Sequence, residues 1–260
     1  MKALIRFNKL GMMMYIGHLD LMRYFQKLFR RCGLDVSYSK GFNPHQNLSF
    51  ASPLGLGLTS IGEYLDVQLD SLNYNGFDNS RLGESHTTDE WIEIINEHSN
   101  GLVNVTAFNI LDDSAKPSMS RLSAATYKIQ LYDDKAKDVI SYFNEYDEII
   151  YSKKTKKSTK EINLKENILV LSDNYDTFSA EREKIAKSDS YYEADYVKDD
   201  KNCLYIMCTA GSALNIKPEM LIESFESKKC LLDVKYDITR LDMYTGTDKF
   251  TSMSIVEKED

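Results

Sequence analysis

Apolar and polar residues alternate over Lys2–Phe7 as they do in a half-buried strand, and Gly17–Cys32 then changes to helical spacing through Leu19, Met22, Phe25 and Phe29. Asp35–Ser39 and Glu63–Leu69 read as two more strands across a Gly- and Pro-rich connection, followed by a helix over Thr88–His98 and a strand over Leu102–Ile110. The order is β-α-β-β-α-β, that of a ferredoxin-like module. After a turn near Lys116-Pro117 the pattern recurs. Thr126–Tyr132 reads as strand, Lys135–Tyr146 as helix, Ile149–Lys153 and Leu204–Cys208 as strands, Pro218–Phe225 as helix and Val234–Arg240 as strand. Pro218 suits a helix start, because a first-turn proline forfeits no intrahelical hydrogen bond. The expected fold class is α+β, with two tandem ferredoxin-like (βαββαβ) modules over residues 1–115 and 116–260 that meet near Asp112–Ser120.

The second module carries an extra segment, Ser172–Asp200, rich in Asp, Glu, Ser and Tyr. Its tyrosines (Tyr175, Tyr191, Tyr192, Tyr196) could stack on bases, but Asp173, Asp176, Glu193 and Asp195 beside them repel phosphates. The segment therefore reads as an acidic, solvated insertion outside both cores.

Charge changes the picture at the other end. Met1–Gly57 holds eight Lys and Arg against two acids, Asp20 and Asp35, while the rest of the chain holds 24 against 38. An acidic protein that gathers its positive charge where it also places Tyr38, Phe42, His45 and several amides is suited to an extended anion such as nucleic acid. An ordinary solvated helix face explains the same charges. The 42% hydrophobic content fits a globular protein, and no apolar run approaches the roughly 20 residues of a membrane span. Without an apolar leader at Met1-Lys-Ala-Leu-Ile-Arg, the expected location is the cytoplasm.

Cys32, Cys203, Cys208 and Cys230 are too few and too scattered for a disulfide framework, and read as reduced, mostly buried thiols. Cys203 and Cys208, five apart in an apolar run, point to opposite faces of a strand and cannot jointly grip a metal. The chain has no C-x₃-C-x₂-C triplet for a radical-generating iron–sulfur cluster, no P-loop and no G-x-G-x-x-G. No metal site is expected.

Arg23, Lys27, Arg30 and Arg31 fall along one stripe of the first helix, a basic ridge able to neutralise a phosphate backbone. Arg30 or Arg31 could also clamp a phosphate in bidentate fashion. Beside the helix lies Tyr38-Ser-Lys-Gly-Phe-Asn-Pro-His-Gln-Asn47, shaped by Gly41 and Pro44. Lys40 and Ser39 could hold phosphate, Phe42 or Tyr38 could stack a base, and Asn43, His45, Gln46 and Asn47 could bond base edges or a 2′-hydroxyl. An ordinary turn between strands has the same composition. His18 stands at the helix start, where the dipole disfavours its protonated form, and a structural hydrogen bond is the expected role. With His45 it is the one candidate acid–base pair.

These residues add up to a resemblance. Arg6-Phe7, Gly17-His-Leu-Asp-Leu-Met-Arg23, Arg30-Arg-Cys-Gly-Leu34, Tyr38-Ser-Lys-Gly-Phe-Asn-Pro-His45, Pro53-Leu-Gly-Leu-Gly57 and Gly211-Ser-Ala-Leu-Asn-Ile-Lys-Pro218 resemble the radical S-adenosylmethionine (SAM)-linked protein family of bacteria. Members of that family are found beside, or fused to the C-terminus of, a radical SAM protein. Lys157-Ser158, Asn163 and Arg240-Leu-Asp-Met-Tyr244 depart from the family's pattern. The resemblance implies a cytoplasmic accessory partner of a radical SAM enzyme, and the basic helix and loop add the expectation that this subunit, read as non-catalytic, binds RNA or presents a substrate in tRNA or rRNA modification. The iron–sulfur cluster and S-adenosylmethionine would sit on the radical SAM partner, with no cofactor in this chain. The alternatives are a metal-independent endoribonuclease using His18, His45, Tyr38 and Lys40, and a pure protein-interaction module whose basic face docks on an acidic partner.

Overall fold

In the computed structural model the chain is a mixed α+β protein whose strands pair mostly antiparallel, with seven α-helices among the described residues. The structure describes residues 1–154, 159–189, 192, 193, 196, 197, 201–229 and 234–255. Tyr191, Asp195, Cys230, Lys157 and Ser158, named above, lie outside them. The chain divides into two units, one of Met1–Arg121 with the C-terminal residues from Met253, the other of Leu122–Ser252.

In the first unit, β1 (Lys2–Lys9) lies between β4 (Thr59–Tyr74) and β5 (Asn104–Leu111), antiparallel to both. Two short strands, β2 (Leu34–Val36) and β3 (Leu48–Phe50), share the other edge of β4. Helices α1 (His18–Cys32) and α2 (Thr88–His98) pack on one face of this sheet. Leu21, Phe25, Leu28, Phe29 and Cys32 of α1 recur at helical spacing and bury themselves against Ala3, Ile5, Phe7, Leu65 and Val67, which alternate along their strands. Phe7 and Phe25 meet edge to face with centroids 4.7 Å apart. Of the expected stripe, Phe25 and Phe29 are fully buried and Met22 packs half-buried against the core, while Leu19 is 68% exposed and Leu21 and Leu28 complete the buried face.

Local chemistry fixes the helix ends. Thr87 caps α2 in a reciprocal box with Glu90, Thr87 N–H donating to the Glu90 carboxylate at 2.7 Å and Glu90 N–H to the Thr87 hydroxyl at 3.2 Å. Gly33 closes α1 at φ 81°, and a Cβ there would come within 2.3 Å of the Tyr74 ring, so both conformation and space require glycine.

In the second unit the strand order is β12-β6-β11-β9, made of Tyr236–Thr245, Leu122–Leu131, Cys203–Thr209 and Ile168–Ser172, all antiparallel. Helices α4 (Ala136–Glu145) and α7 (Glu219–Lys229) touch through Tyr142 and Phe225 at 5.7 Å. Two expectations fail here. The strand over Ile149–Lys153 is β7 (Ile150–Lys154), but it pairs only with β8 (Thr159–Asn163) in a separate hairpin, and β9 takes the place beside β11. Ile168-Leu-Val-Leu-Ser172 offers apolar side chains to a sheet, whereas Thr-Lys-Glu-Ile-Asn of β8 offers mostly polar ones.

The Ser172–Asp200 segment is also not simply solvated. It forms α6 (Tyr175–Ile185) and β10 (Ala186–Lys187), which runs parallel to β13 (Phe250–Ser252), and α6 buries Phe178 fully beside Tyr205. Arg182 donates to both carboxylate oxygens of Glu193 at 2.8 and 2.7 Å, and the Tyr175 hydroxyl donates to the same carboxylate at 2.7 Å. Arg182 and Glu193 are 0% and 1% exposed, so each charge depends on the other for the solvation it has lost. We predict that Glu193→Ala lowers unfolding stability by about 3–5 kcal/mol, because it strands a buried guanidinium. Urea denaturation at neutral pH measures this, and a loss below about 1 kcal/mol would show that the segment is not anchored through this pair.

Candidate nucleic-acid interface

The sequence-predicted loop at Tyr38–Asn47 is a bent loop closed at its base by a single β-bridge, Tyr38–Gln46, and is called the ribbon below. β2 runs along β4 from Tyr74 to Leu69, and Ser37 N–H then donates to Gln68 O at 2.8 Å. β3 resumes on the same edge, with Leu48 opposite Val67 and Gln68 N–H donating to Asn47 O at 3.1 Å. Because one strand edge accommodates both strands end to end, the intervening residues leave the sheet. They pair with each other through a Tyr38–Gln46 bridge and a Ser39 N–H bond to His45 O at 2.8 Å. The Ser39 hydroxyl accepts from His45 N–H at 3.1 Å and lies 2.9 Å from His45 Nδ1. Gly41, at φ 130°, supplies the turn at the tip.

The ribbon groups Tyr38, Ser39, Lys40, Phe42, Asn43 and His45 as the sequence suggests. Phe42 stands wholly in solvent and Tyr38 is half exposed, with Lys40, Asn43 and His45 exposed around them. A fully exposed phenylalanine forgoes about 2 kcal/mol of burial, and the ordered ribbon holds it there.

The basic residues of α1 form a second group. Arg23, Lys27, Arg30 and Arg31 are all exposed on the side of the helix turned from the sheet. Arg23 pairs with Asp20 at 3.0 Å, Arg30 Nε donates to Gln26 O at 3.2 Å, and Arg31 donates to His98 O at 2.6 Å, at the carbonyl end of α2.

A cavity of about 310 Å³ opens at the ribbon's base. Lys2, Ser49, Asp66 and Gln68 alternate with the residues that face α1, so it lies on the opposite face of this sheet from the basic helix. The segment 115–117 lines it too, with Lys2 Nζ donating to Ala115 O at 2.8 Å. The Asp66 carboxylate accepts from Ser118 N–H at 2.9 Å, from the Ser118 hydroxyl at 2.8 Å and from the Ser49 hydroxyl at 3.4 Å. Sequence reasoning missed this cavity. Its one local signal was the amide run ending in Asn47, and the partner Gln68 is 21 residues away.

The two histidines have different neighbours. The His18 ring meets Phe50 edge-on at 5.2 Å, a packing contact in place of the expected hydrogen bond, whereas His45 belongs to the ribbon through Ser39 and Asn43. Gly17, not His18, occupies the N-cap of α1.

Residues 2–218 match the model of a family described as an uncharacterized protein conserved in bacteria (DUF2344). The chain belongs to this family. No curated protein matches it. The ribbon, the basic helix and the cavity all fall inside the DUF2344 match, and all of α7 and β12 lie beyond it. No helix among the described residues is long and apolar enough to cross a membrane.

The three described cysteines are buried, with no disulfide among them. Cys203 and Cys208, on β11, contact different groups, Gln130 Oε1 at 3.0 Å and Ile216 O at 3.5 Å. Burial pushes the Cys32 thiol up to about 11 and the Cys208 thiol up to about 12. We predict that both resist iodoacetamide at pH 8 in the native protein and react once it is unfolded. Their ordinary value is 9.0, so above it the unfolded chain releases protons that the native chain keeps. The stabilisation is therefore complete below pH 9 and is lost as pH rises through about 11 and 12, which urea midpoints against pH will read. Fast labelling of the native protein at pH 8 would contradict this.

Proposed function

We propose that this DUF2344 protein is an RNA-binding accessory subunit that presents a structured tRNA or rRNA to a radical SAM enzyme. The enzyme would carry the iron–sulfur cluster and S-adenosylmethionine, and the two would work in the cytoplasm. The carrying observation is the ribbon, which holds Phe42 fully exposed between Lys40 and Asn43, with Tyr38 and His45 at its flanks. A stacking ring among cations and amides is the equipment of proteins that bind unpaired nucleotides. The ridge of Arg23, Lys27, Arg30 and Arg31 adds charge suited to a phosphate backbone. The link to radical SAM chemistry rests on the sequence resemblance.

In the same reading each unit is a ferredoxin-like module, the two meeting near Asp112–Ser120. What supports this is that β5 lies beside β1 in the first unit and β12 beside β6 in the second, with helices between the strands.

Fluorescence anisotropy with labelled bacterial tRNA tests the RNA assignment. Phe42→Ala is expected to weaken binding roughly 5- to 150-fold, corresponding to about 1–3 kcal/mol for one stacked base, without altering the salt dependence. Lys40→Ala should flatten the log–log salt slope by about one unit or slightly less. A wild-type protein that binds no RNA, or a Phe42→Ala variant that binds as tightly as wild type, would overturn the proposal.

A further inference from the structure

We infer that the cavity at the ribbon's base receives one unstacked nucleobase of the bound RNA, read by the amide pair Asn47 and Gln68. The inference rests on the RNA-binding reading and names the ligand of that surface. Asn47 Nδ2 donates to Gln68 Oε1 at 3.3 Å, which leaves Asn47 Oδ1 as an acceptor and Gln68 Nε2 as a donor. Turning both amides over leaves the same inventory, one acceptor and one donor. The Watson–Crick edge of a nucleobase offers a donor and an acceptor to match, and Asn and Gln amides are common partners of base edges.

The rest of the cavity, in which Lys116 also takes part, can accommodate a base. Leu111, Ala115 and Pro117 give it an apolar side on which a ring can lie. The Asp66 carboxylate, fixed by Ser49 and Ser118, disfavours a phosphate there, and the Lys2 ammonium is already engaged with Ala115 O. At about 310 Å³ the cavity is at the small end of the ~300–1,000 Å³ typical of ligand sites, a size for a single nucleotide. Phe42 stands four residues before Gln46, at most about 13 Å along the chain, so a strand stacked on Phe42 can place a neighbouring base in the cavity.

The test uses a fluorescein-labelled 12-nucleotide single-stranded RNA carrying one 2-aminopurine, with wild type, Gln68→Leu, Gln68→Glu, Asn47→Leu and Phe42→Ala. Gln68 is exposed, so its variants should fold normally, and Gln68→Glu keeps the shape while removing the donor. The expected result is a 5- to 150-fold loss of affinity for Gln68→Leu and Gln68→Glu. The Gln68→Leu salt slope should be unchanged, since no phosphate contact is lost, and the 2-aminopurine signal should revert toward that of free RNA. RNA binding that depends on Phe42 but is indifferent to both Gln68 variants would overturn the base pocket and leave the RNA-binding reading standing. Wild-type protein that binds no RNA would overturn both.

Discussion

The edge of β4 is the constraint from which the rest of the first unit follows. β1 occupies one edge of this 16-residue strand, so the chain returning from α1 has only the other on which to satisfy its backbone groups. It does so twice, as β2 and as β3, and no strand edge is left for the residues between them. They pair with themselves, and the ribbon is the consequence. Its aromatic and cationic side chains are exposed because a loop leaving a sheet has no second layer to bury them.

The same geometry divides the positive charge of the N-terminal segment. The cations of α1 lie on one side of the sheet, behind a helix whose inner face is tightly packed, and the cavity lies on the other. Surface pairs such as Arg23–Asp20 are worth less than about 1 kcal/mol and yield readily to a phosphate. The ribbon stands at the edge between the two faces. In the proposed RNA complex, stacking on its aromatic side chains and readout by neutral amides would be insensitive to salt, whereas the helix would contribute charge without sequence information.

Much of the fold was legible because burial imposes period. The alternation over Lys2–Phe7 placed β1 to within two residues, and the helix expected over Thr88–His98 is α2. The failures have physical causes. β3 is three residues long, too short for a period to show. β9 was passed over because Ile168-Leu-Val-Leu is a short continuous apolar run without alternation, and the segment after it read as solvated although a buried ion pair and Phe178 tie α6 to the unit. Of the site, the sequence cluster Tyr38–His45 was visible as a group, since its residues are contiguous. The Asn47–Gln68 pair was not, because it depends on the register of β3 against β4.

The central claim is that the Tyr38–Asn47 ribbon is where this protein meets RNA. The most direct measurement is ultraviolet crosslinking of the full-length protein to RNA recovered with it from cells, followed by mass spectrometry of the nucleotide-bearing peptides. The account predicts that the crosslinked peptides centre on Tyr38 and Phe42. Crosslinks confined to residues 122–252, or recovery of no RNA at all, would contradict it.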